Sequence, residues 1–277
     1  MRFFMDLDQI EAHWTKWAKE FQQDIRATTK TRTIKYLEVD ALYRAIKKTE
    51  FFSRGDAKVL EVGCGNGHNC FMLAKVLPRF SFTGVDFILD MVNSALEIRN
   101  SSTDYSDMNF FQGNVLKLDE CENIADQYDI VFTDRCLINL NTHELQRSAL
   151  DQLYEKVAPG GYLILIENVQ STYDRQNIVR KSSGLEPRTP DSFNLFIEEE
   201  SFLRHAKTLF SLIAVEDFAA LHDLVLYVLQ PMMNGGKINY EDPMIQSVTD
   251  LLLAMPDNMR GDFGSFGQNR LYFFKKD

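Results

Sequence analysis

Apolar positions recur along this chain in two ways, at helical spacing and in short runs. Ile10, Trp14, Trp17, Phe21 and Ile25 recur at three- and four-residue steps, and Ile34, Leu37, Leu42 and Ile46 do so again, which predicts two amphipathic helices before residue 50. Beyond residue 57 short apolar runs at Lys58–Val62, Phe82–Asp86, Asn109–Gln112, Asp129–Thr133 and Tyr162–Glu167 alternate with helical stretches such as Ile88–Arg99 and His143–Val157. Strands separated by helices predict an α/β fold, a parallel sheet covered on both faces. Helices then follow over Tyr173–Ser183 and Glu198–Phe210, a strand over Ser211–Phe218, and helical spacing again at Leu221, Leu224, Val225, Val228 and Leu229. A helix over Met244–Met255 and a last strand over Leu271–Lys275 close the chain. The expected organisation is an N-terminal helical cap (1–50) and one main domain (51–277) with a helical insertion at about 221–260. A connection of that length builds a substrate lid or a subunit contact, so a homodimer is among the partners it allows.

Composition narrows the function classes. With 277 residues and 45% hydrophobic content, the chain can bury one large core. Its 30 basic and 40 acidic residues give a formal charge of -10, which repels phosphate backbones and argues against a nucleic acid partner. Asp6, Asp8 and Glu11 interrupt the N-terminus too early for a signal-peptide core, and no apolar run approaches a membrane span. Cys64, Cys70, Cys121 and Cys136 form no C-x-x-C pair and have no histidine cluster beside them. The expectation is a cytoplasmic, membrane-free chain with reduced thiols.

The candidate chemistry begins at Val59-Leu60-Glu61-Val62-Gly63-Cys64-Gly65-Asn66-Gly67, where three glycines stand at alternate positions directly after a short strand. A dinucleotide loop has the form G-x-G-x-x-G, and its third glycine would fall at His68; here it comes one place early. Asp86, 19 residues beyond Gly67, ends the second strand, where a carboxylate can accept from both hydroxyls of a ribose. Phe87 follows it and can lie against an adenine ring. Glu61, Asp86, Asn114, Asp134 and Glu167 all fall at or near strand ends, where ligands bind in open α/β sheets.

The G-x-G-x-G loop, with an acid two places before its first glycine, resembles motif I of the class I S-adenosylmethionine (SAM) methyltransferases. Asn109–Leu118 is similar to that family's third strand and the turn after it, and Tyr128–Leu140 to its fourth strand and acceptor-side loop. Ala158-Pro159-Gly160-Gly161 resembles its turn into strand five. The resemblance covers more than half the chain, fits the small-molecule branch best, and implies a Rossmann-like, seven-stranded, mostly parallel sheet that binds SAM. It implies cofactor contacts at Glu61, Gly63, Cys64, Gly65, Gly67, Asp86, Phe87, Asn114, Val115 and Asp134. Asn114 stands where the family commonly has Asp, and an amide oxygen can also accept from adenine.

On the acceptor side, Glu167 is the first candidate for a base or an orienting group; otherwise it is a solvated strand-end carboxylate. Arg135 and Asn139 can bind a polar or anionic acceptor, although Arg135 can equally pair with Asp134. The polar break from Arg26 to Thr31 is either a solvated turn or a set of donors for the cofactor's carboxylate. His143 opens a helix, and His205 and His222 read as structural histidines. Asp134 and Glu167-Asn168 stand where catechol-type O-methyltransferases hold a divalent metal, but Arg135 would compete with a cation, and a metal-free enzyme is expected. The reading is methyl transfer from SAM to oxygen or nitrogen of a small polar or anionic metabolite. A protein or RNA methyltransferase and a non-catalytic SAM-binding partner or sensor are the alternatives.

Overall fold

The computed structural model describes residues 4–277, so the first three residues of the expected cap lie outside it. Seven strands pair in the order β3-β2-β1-β4-β5-β7-β6. They are β1 (Lys58–Val62), β2 (Ser81–Asp86), β3 (Asn109–Gln112), β4 (Tyr128–Asp134), β5 (Val157–Asn168), β6 (Ser211–Glu216) and β7 (Asn269–Lys275). The first five run parallel, and β7 lies antiparallel between β5 and β6. Strand order reverses beside β1, because the chain goes one way to β2 and returns on the other side as β4. A crevice opens at such a switch point, above the carboxyl ends of β1 and β4.

Alternate strand positions feed two cores, one on each face of the sheet. Val59, Phe82, Phe132 and Ile164 join Leu42, Ile46 and Leu73 on one face. Leu60, Val131, Leu163 and Leu165 join Leu150, Leu153 and Phe274 on the other. Strand β5 begins five residues earlier than its apolar run suggests. Val157 pairs with Tyr128, the register shifts before Ile130, and Gly160 takes φ 76° while its N–H donates to the Lys276 carbonyl (2.9 Å). The Pro-Gly-Gly segment is therefore a bulged lead into the strand rather than a free turn.

The helices are α1 (Leu7–Phe21), α2 (Arg32–Lys47), α3 (Glu50–Arg54), α4 (His68–Val76), α5 (Leu89–Asn100), α6 (His143–Lys156), α7 (Gln170–Ser182) and α8 (Glu199–Leu209). Between β6 and β7 lie α9 (Ala220–Leu224), a π-turn at Val225–Leu229, α10 (Gln230–Met233) and α11 (Pro243–Ala254). The two N-terminal helices behave differently. Helix α2 buries Leu42 and Ile46 in the sheet core, whereas α1 lays Trp14, Ala18 and Phe21 on Ile88 and Met91 at the head of α5. Asp6 starts α1 through a capping box with Gln9. Among the described residues no helix is long and apolar enough to cross a membrane.

Candidate cofactor and acceptor site

A cavity of about 460 Å³ lies over the switch point, enclosed by α1, the Thr28–Thr31 segment, the strand ends and the α7–α8 connection. Its floor is the glycine loop. Gly63 has φ 75° and Gly65 φ 54°; a Cβ would fall 2.6 Å from Cys136 Sγ at the first and 2.4 Å from Thr28 Cγ2 at the second. Neither position tolerates a side chain, so the backbone itself faces the cavity. Asp86 closes the loop from β2: Oδ2 accepts from Gly65 N–H (2.7 Å) and Oδ1 from Ile88 N–H (2.8 Å). Burial raises its pKa, against the pull of those two amides. Phe87, 44% exposed, continues the wall with Ile88, Met91, Gly113, Asn114 and Val115. Asn114 Oδ1 accepts from Leu116 N–H (2.9 Å), which leaves one lone pair of that oxygen for a ligand.

Three of the expected cofactor residues lie behind the wall instead of on it. Glu61 is fully buried; its carboxylate accepts from Asn69 Nδ2 (2.7 Å) and from the Cys70 thiol (3.0 Å), and burial pushes its pKa up to about 8. Cys64 is also buried, with its thiol pushed up by desolvation. Gly67 starts α4 with the Phe71 and Phe110 rings against it. These residues set the loop's shape from beneath.

At the end of β4, Asp134 and Arg135 meet two charges from α2. Lys35 Nζ lies 2.5 Å from Asp134 Oδ2 and 2.9 Å from Glu38 Oε2, and Arg135 Nε lies 2.9 Å from Glu38 Oε1. Asn69 donates to Asp134 (3.0 Å) and Asn269 to Glu38 (2.7 Å). Burial alone would raise the Asp134 pKa, but Lys35 and Arg135 outweigh it and hold the group at about 2. Arg135 has φ 56°, a left-handed backbone that a non-glycine residue adopts only under constraint from its surroundings. Asp134 and Arg135 both line the cavity. Among the described residues no group of three or more His, Cys, Asp or Glu is arranged to hold a metal ion.

Glu167 is not on the cavity wall. Its carboxylate is fully buried and accepts from Thr133 Oγ1 (2.9 Å) and from the N–H groups of Cys136 (3.2 Å), Leu137 (3.0 Å) and Ile138 (3.3 Å). It anchors the start of the one-turn helix Leu137–Asn139, so its contacts are with the acceptor-side loop and not with the space where an acceptor would sit. Burial pushes its pKa up to about 7 against those donors. Asn139, on that turn, does face the cavity; Oδ1 accepts from Trp14 Nε1 (3.0 Å) and Nδ2 donates to the Arg135 carbonyl (2.9 Å).

Much of the remaining wall has no signature in the sequence. Trp14, His13 and Phe193 come together from α1 and the α7–α8 connection, with His13 stacked on Phe193 at 4.1 Å. Lys30 reaches Asp191 (3.1 Å), and Thr28–Thr31, which unlike these aromatic residues is already marked in the sequence as a polar break, lines the cavity. Arg188, Tyr227 and Tyr240 also line it, with the Arg188 guanidinium stacked on the Tyr227 ring. A helical period foretells α1 but not which side it presents to a ligand. The one available signal at Tyr227 is structural, since it sits in the π-turn, a form enriched at functional sites.

The strand order, the glycine loop and Asp86 at the end of β2 define a class I SAM-dependent methyltransferase fold. A family model for the methyltransferase domain matches residues 53–209, more than half the chain, and the chain belongs to that family. A malonyl-(acyl-carrier protein) O-methyltransferase of Paenibacillus sp. is 30% identical over 115 residues, 40% of this chain and 40% of that protein. An arsenite methyltransferase of Aquipseudomonas alcaligenes is 28% identical over 110 residues, 38% of this chain and 31% of that protein. The aligned part thus spans no more than about two fifths of these curated relatives. Among solved structures, the N-methyltransferase NodS from Bradyrhizobium japonicum WM9, in complex with S-adenosylhomocysteine, superposes with a TM-score of 0.55 at 12% identity, covering 96% of this chain and 98% of that one.

SAM is the cofactor of this fold, and the residues present fit it. The loop at Gly63 and Gly65 presents backbone to the cavity, Asp86 brings a carboxylate to the end of β2, and Phe87, Ile88, Met91 and Val115 line an apolar stretch beside it.

Proposed function

We propose that the protein transfers the methyl group of SAM to an oxygen or nitrogen of a small polar metabolite, held in the same cavity as the cofactor. The observation that carries this reading is the continuity of that cavity. Gly63 and Gly65, Asp134, Arg135 and Asn139, and Tyr227 and Tyr240 all line this one cavity, together with α1 of the same chain. A partly covered cavity beside a glycine loop suits a small acceptor, and the formal charge of -10 disfavours RNA. Of the curated relatives, one is named for arsenite, a small polar acceptor, and the other for a malonyl group borne by an acyl-carrier protein.

SAM supplies an activated methyl on a sulfonium, so the protein's task is to hold the nucleophile in line at van der Waals distance and to keep water out. Asp86, Phe87, Asn114 and Val115 would hold the nucleoside, and Thr28–Thr31 would meet the amino-acid end. Arg135 and Asn139, fixed by Glu38 and Trp14, would border the transferring methyl and orient the acceptor. Glu167 would act as a positioning residue that shapes the Leu137–Asn139 turn.

The test is release of S-adenosylhomocysteine from SAM in the presence of fractionated small metabolites, RNA or protein. Turnover with the metabolite fraction is expected. Turnover only with RNA or protein would replace the acceptor reading, and tight SAM binding with no turnover on any fraction would favour a non-catalytic role.

A further inference from the structure

We propose that Arg188 anchors a carboxylate carried by the acceptor, so that the substrates are small molecules with a free carboxylate and an apolar or aromatic body. The proposal rests on the methyltransferase reading and deepens its acceptor half.

Three lysine or arginine side chains of the described residues line the cavity: Lys30, Arg135 and Arg188. Lys30 is paired with Asp191 (3.1 Å), and Arg135 with Glu38 (2.9 Å). Arg188 differs. Nη1 donates to Gln176 Oε1 (3.0 Å) and Nη2 to Gln268 Oε1 (3.1 Å), both neutral amides, and among the described residues it makes no ion pair. A guanidinium has five N–H donors, so three stay open to the cavity or to water. With no carboxylate in ion-pair contact, the fork can accept an anion without giving up an internal salt bridge.

The group is also held in place. Arg188 N–H donates to Asn177 Oδ1 (2.8 Å) while Asn177 Nδ2 donates back to the Arg188 carbonyl (2.9 Å), which fixes the backbone. The guanidinium carbon lies 3.4 Å from the centre of the Tyr227 ring and 5.1 Å from that of Tyr173, which fixes the plane of the fork. A planar donor fork of fixed orientation matches a carboxylate edge.

The rest of the wall argues for a single negative charge. Asp134, Asp191 and Asp223 line the same cavity and would repel a phosphate dianion. The acids are themselves engaged: Asp223 by His222 Nδ1 (2.9 Å) and Gln268 N–H (2.6 Å), Asp134 by Lys35 and Asp191 by Lys30. They therefore do not compete for the Arg188 fork. Trp14, Phe193 and Tyr240 give the acceptor an aromatic setting.

The test uses calorimetry on the full chain saturated with S-adenosylhomocysteine, titrated with benzoate, 4-hydroxybenzoate and phenylacetate, with the matching carboxamides, and with inorganic phosphate. The carboxylates are expected to bind about 10-fold or more tighter than their amides, the strength of a charge-assisted contact. R188Q should erase that preference and R188K should keep part of it, both with unchanged S-adenosylhomocysteine affinity. Carboxylates that fail to bind at millimolar concentration, a preference that survives in R188Q, or tighter binding of phosphate would each overturn the proposal. Should R188Q not fold, R188K decides: a reduced preference supports the anchor and an unchanged one removes it. Failure of the wild-type protein to bind S-adenosylhomocysteine would instead strike the methyltransferase reading itself.

Discussion

The two ends of the cavity are built by different means. At the cofactor end, short local segments do the work: Gly63 and Gly65, then Asp86 to Ile88 with Met91, and Gly113 to Leu116 form the wall, through backbone conformation and one carboxylate on two amides. At the acceptor end, the wall is assembled from α1, the β4 loop, the α7–α8 connection, the π-turn and the approach to β7. It depends on buried pairings across long separations, such as Lys35 with Asp134 and Asn269 with Glu38. One end is specified by local geometry and the other by tertiary charge pairing, so they should fail differently when altered.

The largest difference is expected from Lys35→Met. Lys35 sits between two carboxylates with its side chain 3% exposed, and its removal leaves Glu38 and Asp134 facing each other with only Arg135 to balance them. Breaking a buried pair in this way costs about 3–5 kcal/mol, which urea unfolding measures. A loss below about 1 kcal/mol, the range of exposed pairs, would mean that the acceptor end does not rest on this network.

Asp86→Ala probes the other end. It removes the acceptor of the Gly65 and Ile88 amides and, on the proposed reading, of the ribose hydroxyls, and should weaken SAM binding by about 10- to 100-fold at a smaller cost in stability. Unchanged affinity would take Asp86 off the ribose and would leave the loop backbone as the whole cofactor site.

The same contrast explains what could be read from the chain beforehand. The sheet, its helices and the glycine loop follow from short apolar runs, from helical spacing between them and from glycines that positive φ demands. Glu61 and Glu167 stand at strand ends as expected, yet a strand-end position does not say which way a carboxylate turns. Both turn inward, Glu61 to α4 and Glu167 to three amides of the next turn. Arg188, Tyr227 and Phe193 carry no local signature, because their role exists only once distant segments meet. Lys35 and Glu38 lie in what reads as an ordinary amphipathic helix, and only the approach of Asp134 and Arg135 turns them into a buried network.

Those two inward carboxylates give a third, smaller contrast, in pH. Each has a folded pKa raised from 4.5, Glu61 to about 8 and Glu167 to about 7. A raised pKa means that the folded state keeps a proton that the unfolded chain has released, so each group's contribution is fully present below pH 4.5 and is lost as pH rises through the folded value. Glu61 has two side-chain donors, one a weak thiol, whereas Glu167 has three amides and a hydroxyl. Glu61→Gln should therefore flatten the decline in stability between pH 5 and 8 more than Glu167→Gln does, in urea titrations at both ends of that range. Glu167→Gln should also lower stability at pH 5, since an amide NH2 in that place opposes a backbone donor. An identical pH slope in the wild type and Glu61→Gln would show that Glu61 ionises freely, and the loop would then be less enclosed than its burial indicates.

The smallest effect concerns the roof that joins the two ends. Trp14 touches both: its ring belongs to the cluster with Ile88 and Met91 beside the nucleoside slot, and its Nε1–H donates to Asn139 on the acceptor loop (3.0 Å). Trp14→Phe keeps most of the apolar contact and deletes the hydrogen bond, at a cost of about 0.5–1.5 kcal/mol. If α1 is the element that encloses both ligands, the lost bond should appear as faster release of S-adenosylhomocysteine, about 2- to 10-fold in stopped-flow displacement, with little change in the association rate. It should also free Asn139, so that acceptor KM rises together with the release rate. A change in KM alone would separate the two ends and make α1 part of the acceptor wall only. A change in release alone would make α1 a cover for the cofactor, with Asn139 held well enough by the Arg135 carbonyl.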